Sequence, residues 1–291
     1  MNEETQTKNN INWYPGHMAK TKRLIKENLN LIDIIYEVID ARIPLSSKIK
    51  DIDDLVKNKP RILIFTKYDL CDKNETDKFI KKYEEQGLYT LKYDLTKENN
   101  FKDLYELSNK ILSDKLSKRV DKGIINKNIR ALVIGIPNAG KSTLINKIAK
   151  EKKVNVGNKP GVTKNLNWIK TKTNIELLDT PGILWPRLEQ DITALNLASL
   201  TAIKEEILPL EDVSIYILNT LSKYYPSILK ENFKIDNVSD IEIVFDQIGK
   251  NKGLLSKGGV VDYDRVIALI INNVKSGKIK DITFDRYEDF K

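Results

Sequence analysis

Cysteine is nearly absent: Cys71 is the one thiol in 291 residues, which excludes an internal disulfide and fits a reducing compartment. No apolar run approaches the roughly 20 residues that span a bilayer, so no membrane partner is expected. The opening stretch, MNEETQTKNN, is polar and partly acidic, unlike a secretory signal, and a cytoplasmic location follows as the expectation. Internal repeats and long low-complexity tracts are also missing. Histidine occurs once, at His17 in NWYPGHMAK, and a lone imidazole is by itself more often structural than functional.

Charge is abundant but uneven. The formal total is +8, from 49 Lys and Arg against 41 Asp and Glu. From Lys115 to Lys172 stand 15 bases and two acids, a local net of +13, whereas from Asp191 to the end 13 bases meet 16 acids, a net of −3. Dense lysine can be a solvated face or a surface for a polyanion such as RNA, and charge alone does not choose between them.

Hydrophobic periodicity divides the chain in two. Leu31–Asp40, Arg61–Thr66, Gly87–Leu95, Ile129–Gly135 and Asn174–Asp179 read as strands, the most apolar of them as buried parallel ones. Helical spacing covers His17 to Leu31, Asn74–Gln86 and Phe101 to Leu116, and SKRVDKGIINKN reads as a linker. This alternation predicts an α/β domain with a mostly parallel sheet over residues 1–188. Beyond it, DITALNLASLTAIKEEI, VSIYILNTLSKYYPSILKENF, DIEIVFDQIGKNKG and DYDRVIALIINNVKSGKI predict an all-helical domain over 189–291.

The chemistry sits at the strand ends. GIPNAGKS, Gly135–Ser142, matches G-x-x-x-x-G-K-S between a strand and a helix, the context of a phosphate-binding loop. Asn138, Ala139, Gly140, Lys141, Ser142 and Thr143 are therefore nucleotide-binding candidates, Lys141 for the β- and γ-phosphates and the Ser142 hydroxyl for Mg²⁺. DTPG follows the strand at 174–179, with Asp179 suited to hold Mg²⁺ through water and the Gly182 amide to sense the γ-phosphate. Thr163 in KPGVT is a candidate second Mg²⁺ hydroxyl. TKYD, Thr66–Asp69, ends another strand: the Asp69 carboxylate would accept from guanine N1–H and the 2-amino group, and the Lys67 stem would pack on the base beside Tyr68. Adenine offers no such donor pair, so GTP is the expected substrate. Thr66 stands where Asn is usual, yet its hydroxyl can still bond to the P-loop.

Motif order is the most informative feature. Ordinary GTPases run P-loop, switch threonine, DxxG, guanine motif; here TKYD at 66 precedes the P-loop at 135, an order of 4-5-1-2-3. The chain reads as a circularly permuted P-loop GTPase followed by helices, so the DTPG switch leads directly into the C-terminal half. With WYPGHMAK, DARIPLSS, TKYDL, GIPNAGKSTLIN, KPGVTKN, LLDTPGILWP and DRVIALIINNVKSGKI, the sequence resembles the circularly permuted bacterial GTPases, and among them the ribosome biogenesis GTPase A family.

That resemblance implies a GTPase that joins a late large (50S) ribosomal subunit precursor, contacts rRNA through its helical domain and leaves after GTP hydrolysis. It places Asp94 and Leu95 at the family's fifth motif, although they do not spell the usual Ser-Ala. The chain is read as a monomer. Ile183 and Leu184 follow DTPG where many GTPases carry a water-orienting Gln, and Pro137 fills a P-loop position where a small residue is common, so unaided hydrolysis should be slow. Two sources of help are visible. Asn138, in the PNAGKS form found in potassium-activated GTPases, is a candidate K⁺ ligand, with capping of its own loop as the equal alternative. His17 is the candidate catalytic residue, because the matching histidine in the family has been proposed for that role. Competing readings are an RNA-binding protein that uses GTP as a conformational ligand, and a small-molecule P-loop enzyme; the second leaves TKYD and the permuted order unexplained.

Overall fold

The computed structural model describes residues 16–49, 52–56, 59–123, 128–149, 167–182, 191–200 and 208–290. Thr163, Ile183, Leu184, Trp13 and Tyr14, and the expected domain boundary near 188, lie outside these residues.

Six strands form one sheet: β1 (Ile34–Asp40), β2 (Arg61–Thr66), β3 (Tyr89–Tyr93), β4 (Ile129–Gly135), β5 (Asn167–Lys170) and β6 (Ile175–Asp179), in the order β3-β2-β1-β4-β6-β5. All neighbours are parallel except β5, an antiparallel edge strand on β6 that the sequence pattern did not reveal. At four residues, β5 is too short to show an alternating pattern. Every residue of β1 and β2 is buried, as expected of a sheet covered on both faces.

The helices are α1 (Gly16–Asn28), α2 (Ile52–Val56), α3 (Lys73–Glu85), α4 (Lys102–Ile111), α5 (Ser113–Asp121), α6 (Lys141–Ala149), α7 (Asp191–Ser199), α8 (Leu210–Tyr224), α9 (Pro226–Phe233), α10 (Ile241–Lys252) and α11 (Tyr263–Lys275). One expectation needs correcting: the presumed linker is helical as far as Asp121, and the helix expected over 101–116 is two helices meeting at Leu112. Tertiary contacts explain this. Lys115 and Arg119, one turn apart on α5, both reach the buried Asp33 carboxylate at 2.6 Å, while Asp33 also accepts from the Arg130 amide. These partners hold the Asp33 carboxyl below its usual range despite the cost of burial.

Two layers cover the sheet. Ile25 of α1 and Leu29, just after it, pack with Ile35, Leu132, Ile134 and Leu178 on one face. On the other, sheet residues such as Tyr36, Val38 and Val133 share a continuous core with Ile217, Leu221, Phe233, Ile248, Ile270 and Val274 of the C-terminal helices. The tail after α11 then returns over α3: Phe284 donates its amide to the Arg42 carbonyl at 2.8 Å, and Tyr287 and Phe290 pack edge-on against Phe79. Asp285 anchors it, accepting from the Leu45 and Ser46 amides at 2.7 Å each, the Ser46 hydroxyl at 2.5 Å and Asn196 Nδ2 at 2.8 Å.

Candidate functional site

Parallel strands deliver their C-terminal ends to one edge, so Asp40, Thr66, Asp94, Gly135 and Asp179 meet there although they span 139 positions of sequence. Strand order reverses direction between β1 and β4, the switch point at which open α/β sheets bind ligands. The P-loop leaves β4 at that point and leads into α6.

Lys141 opens α6 and is 7% exposed; its Nζ donates to the Gly135 and Ile136 carbonyls at 3.1 and 2.7 Å. Burial pulls its pKa down to about 8, opposed by the nearby Asp179 carboxylate. Ser142 and Thr143 are half-buried in the first turn of α6, and Ala139 is fully buried. Asn138 has φ +62°, a left-handed conformation that Asn tolerates better than most residues, so loop geometry alone accounts for an Asn here.

The TKYD loop is tied to the P-loop directly. Thr66, fully buried, donates its hydroxyl toward the Ala139 carbonyl at 2.5 Å, with the Ile39 carbonyl at 3.1 Å. Lys67, with φ +55°, donates to the Asn138 carbonyl at 2.8 Å and to Asp40 at 2.7 Å. Tyr68 turns away from this contact, donating to Asp77 with Lys92 over its ring at 4.9 Å. Asp69 is half-buried at the end of the loop. The turn after β3 completes the wall: a Cβ on Gly140 would lie 3.4 Å from Thr66 Oγ1 and 3.5 Å from Leu95 Cδ1. The Asp94 carboxylate accepts from Thr96 N at 2.8 Å and Thr96 Oγ1 at 2.5 Å, so it shapes this turn.

On the phosphate side, Asp179 is buried at the end of β6, and Thr180 bonds to the Val133 carbonyl of β4 at 2.8 Å. Gly182 packs on the P-loop so closely that a Cβ there would stand 2.7 Å from Pro137 Cα and N. Pro137, unusual as a P-loop residue, is thus the surface against which the DTPG segment rests.

One strand-end carboxylate and a helix-start hydroxyl, all oxygen donors, suit Mg²⁺, which takes few protein ligands when phosphates supply the rest. Among the described residues, no group of three or more His, Cys, Asp or Glu forms an all-protein metal cage.

His17 lies in the first turn of α1. Its helix leads through Leu29–Leu31 into β1, and Ile25 in its second half packs with Ile35 and Leu132 of the sheet. The His17 side chain is outside what is described. Two buried residues escaped the sequence reading of the site: Asp40 and Arg42, in DARIPLSS, form a bidentate pair directly behind Lys67. Asp40 closing the mostly apolar strand IIYEVID, two positions before a charge of opposite sign, was the available signal.

A family described as a 50S ribosome-binding GTPase matches residues 130–245. The chain is 43% identical over 281 residues to ribosome biogenesis GTPase A of Bacillus cereus, covering 96% of this chain and 95% of that protein. Two solved structures match at 26% identity and 92% coverage of this chain. One is GDP-bound TM YlqF, covered completely with a TM-score of 0.64, and the other GNP-bound YlqF from T. maritima, 98% covered with a TM-score of 0.63.

Proposed function

The chain belongs to the ribosome biogenesis GTPase A family of circularly permuted GTPases, and from that premise we propose that it acts late in assembly of the large (50S) ribosomal subunit. It is a GTPase, hydrolysing GTP to GDP and phosphate in ribosome biogenesis. On this reading it binds precursor particles and their rRNA as a cytoplasmic monomer and leaves after hydrolysis. No helix among the described residues is long and apolar enough to cross a membrane.

The observation that carries the reading is the single sheet edge where the P-loop, the TKYD loop and the DTPG segment meet, beside a helical half that shares their core. Residues 1–188 form the nucleotide domain and 189–291 the RNA-binding domain. Acidity in the helical half argues against a simple electrostatic clamp, so the basic segment around α6 supplies part of the RNA face.

Within the site, Thr66, Lys67, Tyr68 and Asp69 serve the guanine, with Asp69 reading its donor pair and the turn at Asp94 and Leu95 closing over it. Asn138 to Thr143 cradle the phosphates, Lys141 meeting the β- and γ-oxygens and Gly182 the γ-phosphate through its amide. Ser142, Thr163 and Asp179, the last through water, hold Mg²⁺, which neutralises charge on the bridging phosphate oxygens when bound. His17 is the catalytic residue, orienting or deprotonating the attacking water once the N-terminal segment closes on the site. K⁺ at Asn138 is a separable proposal, and equal rates in K⁺ and Na⁺ at matched ionic strength would remove it.

Single-turnover GTP hydrolysis with and without large-subunit precursor tests the whole reading. Precursor should accelerate the wild type; His17→Ala should keep GTP affinity and lose the acceleration. Turnover indifferent to precursor points instead to a small-molecule enzyme, and GTP-dependent particle binding without hydrolysis to a conformational ligand.

A further inference from the structure

A line of charge runs from the half-buried Lys67 of the guanine loop through the buried Asp40 and Arg42 to the helical half, and nucleotide recognition as described above does not use its last two members. Lys67 Nζ bridges the P-loop carbonyl of Asn138 and Asp40 Oδ2. Asp40 also grips Arg42 at both oxygens, accepting from Nε at 3.0 Å and from Nη2 at 2.9 Å. The remaining arm of the guanidinium, Nη1, donates to the Val274 carbonyl in the last turn of α11 at 2.9 Å. Asp40 is 2% exposed and Arg42 1%.

The charges alternate +, −, + and end at a helix C-terminus, where the helix dipole favours a cation. Between two cations, the Asp40 carboxyl is held far below the usual carboxylate range. In a buried row of this kind no member moves alone, because displacing one leaves its neighbour uncompensated. An apolar contact runs beside it. A Cβ on Gly277, just past α11, would come within 2.8 Å of Leu70 Cδ1, and the Ile282 amide bonds to the Leu70 carbonyl at 3.3 Å. The loop carrying Lys67 and Asp69 is therefore clamped between the P-loop and the end of α11.

We propose that Arg42 is a positioning residue that couples the placement of α11 to guanine-nucleotide affinity. A partner that shifts the helical half drags Val274, Arg42 and Asp40 in turn and displaces the Lys67 stem from the base, which loosens the nucleotide. Linkage makes the effect reciprocal: bound nucleotide stiffens the last turn of α11. This rests on Thr66–Asp69 being the guanine site.

Hydrogen exchange on the full chain, with and without saturating GDP, separates the possibilities. GDP should slow exchange at the P-loop and at residues 66–70, and also at Ser276, Gly277 and Ile279, whose amides bond to Asn272, Val274 and Asn273. Arg42→Lys keeps the charge but cannot fork Asp40 and reach Val274 together. It should release a fluorescent GDP analogue about tenfold faster, within the usual range of site-to-site coupling, and abolish the protection at 276–279 while leaving that of the P-loop. Protection at 66–70 without any at 276–279 in the wild type overturns the coupling alone. Protection at neither overturns the guanine-site assignment itself. Should Arg42→Lys fail to fold, the wild-type comparison still decides; should it fold and keep both release rate and distant protection, the proposal is wrong.

Discussion

Binding of a guanine nucleotide should take up a proton, and the group that accepts it is Lys141. Burial lowers its pKa to about 8 even with Asp179 nearby. Phosphate oxygens brought within about 4 Å each contribute up to about 4 kcal/mol at an effective dielectric near 20. At 1.36 kcal/mol per pK unit, that raises the pKa by about three units, so the bound ammonium stays charged across the working range. The sign follows: the complex has the higher pKa, so affinity is complete below about pH 8 and declines as pH rises from there toward the bound value. Uptake should be about 0.1 proton per nucleotide at pH 7, about 0.5 at pH 8 and about 0.9 at pH 9, with affinity about tenfold weaker at pH 9 than at pH 7 or below. Titration calorimetry of GDP at pH 8, in buffers differing in ionisation enthalpy, reads the proton count as a slope. GDP phosphates and guanine do not titrate near that pH, so the slope belongs to the protein. Lys141→Arg, with a guanidinium that does not titrate there, should bring it to zero. No proton uptake in the wild type at either pH 8 or pH 9, or unchanged uptake in Lys141→Arg, would refute the reasoning.

Gly182→Ala places a methyl group 2.7 Å from two backbone atoms of Pro137, which no rotamer relieves. A stability loss of about 1–3 kcal/mol in urea denaturation is expected. Thr66→Val preserves shape but removes the hydroxyl shared by Ala139 and Ile39. It should cost about 1–3 kcal/mol of stability and weaken GDP binding in the same titration, while Thr66→Ser retains both. Asp285→Ala strands the Leu45 and Ser46 amides and Asn196 in a buried site. About 3 kcal/mol or more should be lost, and limited proteolysis should cut near residues 279–290 well before it cuts the sheet.

Both halves of the site face one constraint: polar atoms must be held rigidly inside an apolar frame. Thr66 and Lys67 spend polar groups on the Ala139 and Asn138 carbonyls, so the TKYD loop and the P-loop share bonds and are not merely neighbours. The circular permutation leaves this untouched, because the bonds depend on strand order in the sheet and not on the order in which the chain visits the strands.

The elements with strong local signals were legible. Five of the six strands announced themselves, most plainly through apolar runs such as RILIFT and IRALVIG, and the strand–loop–helix of the P-loop through its glycines and Lys141. Failures came where a distant partner decides. SKRVDKG reads as a solvated linker until Asp33, more than 80 positions earlier, turns out to hold Lys115 and Arg119 on one helix face. DARIPLSS carried only a resemblance, since its bonds run to Val274 and Asp285, more than 230 positions away.

Composition, periodicity and motif order by themselves determined a permuted P-loop GTPase fold with a helical C-terminal half, because those signals are local and repeat along the chain. Tertiary structure decided that the two halves share one core, that Pro137 braces Gly182, and that Lys67, Asp40 and Arg42 form a row ending on α11. The physical reason is desolvation: Asp40, Arg42 and Asp285 look like ordinary surface charges in sequence, and only burial makes each depend on its particular partners.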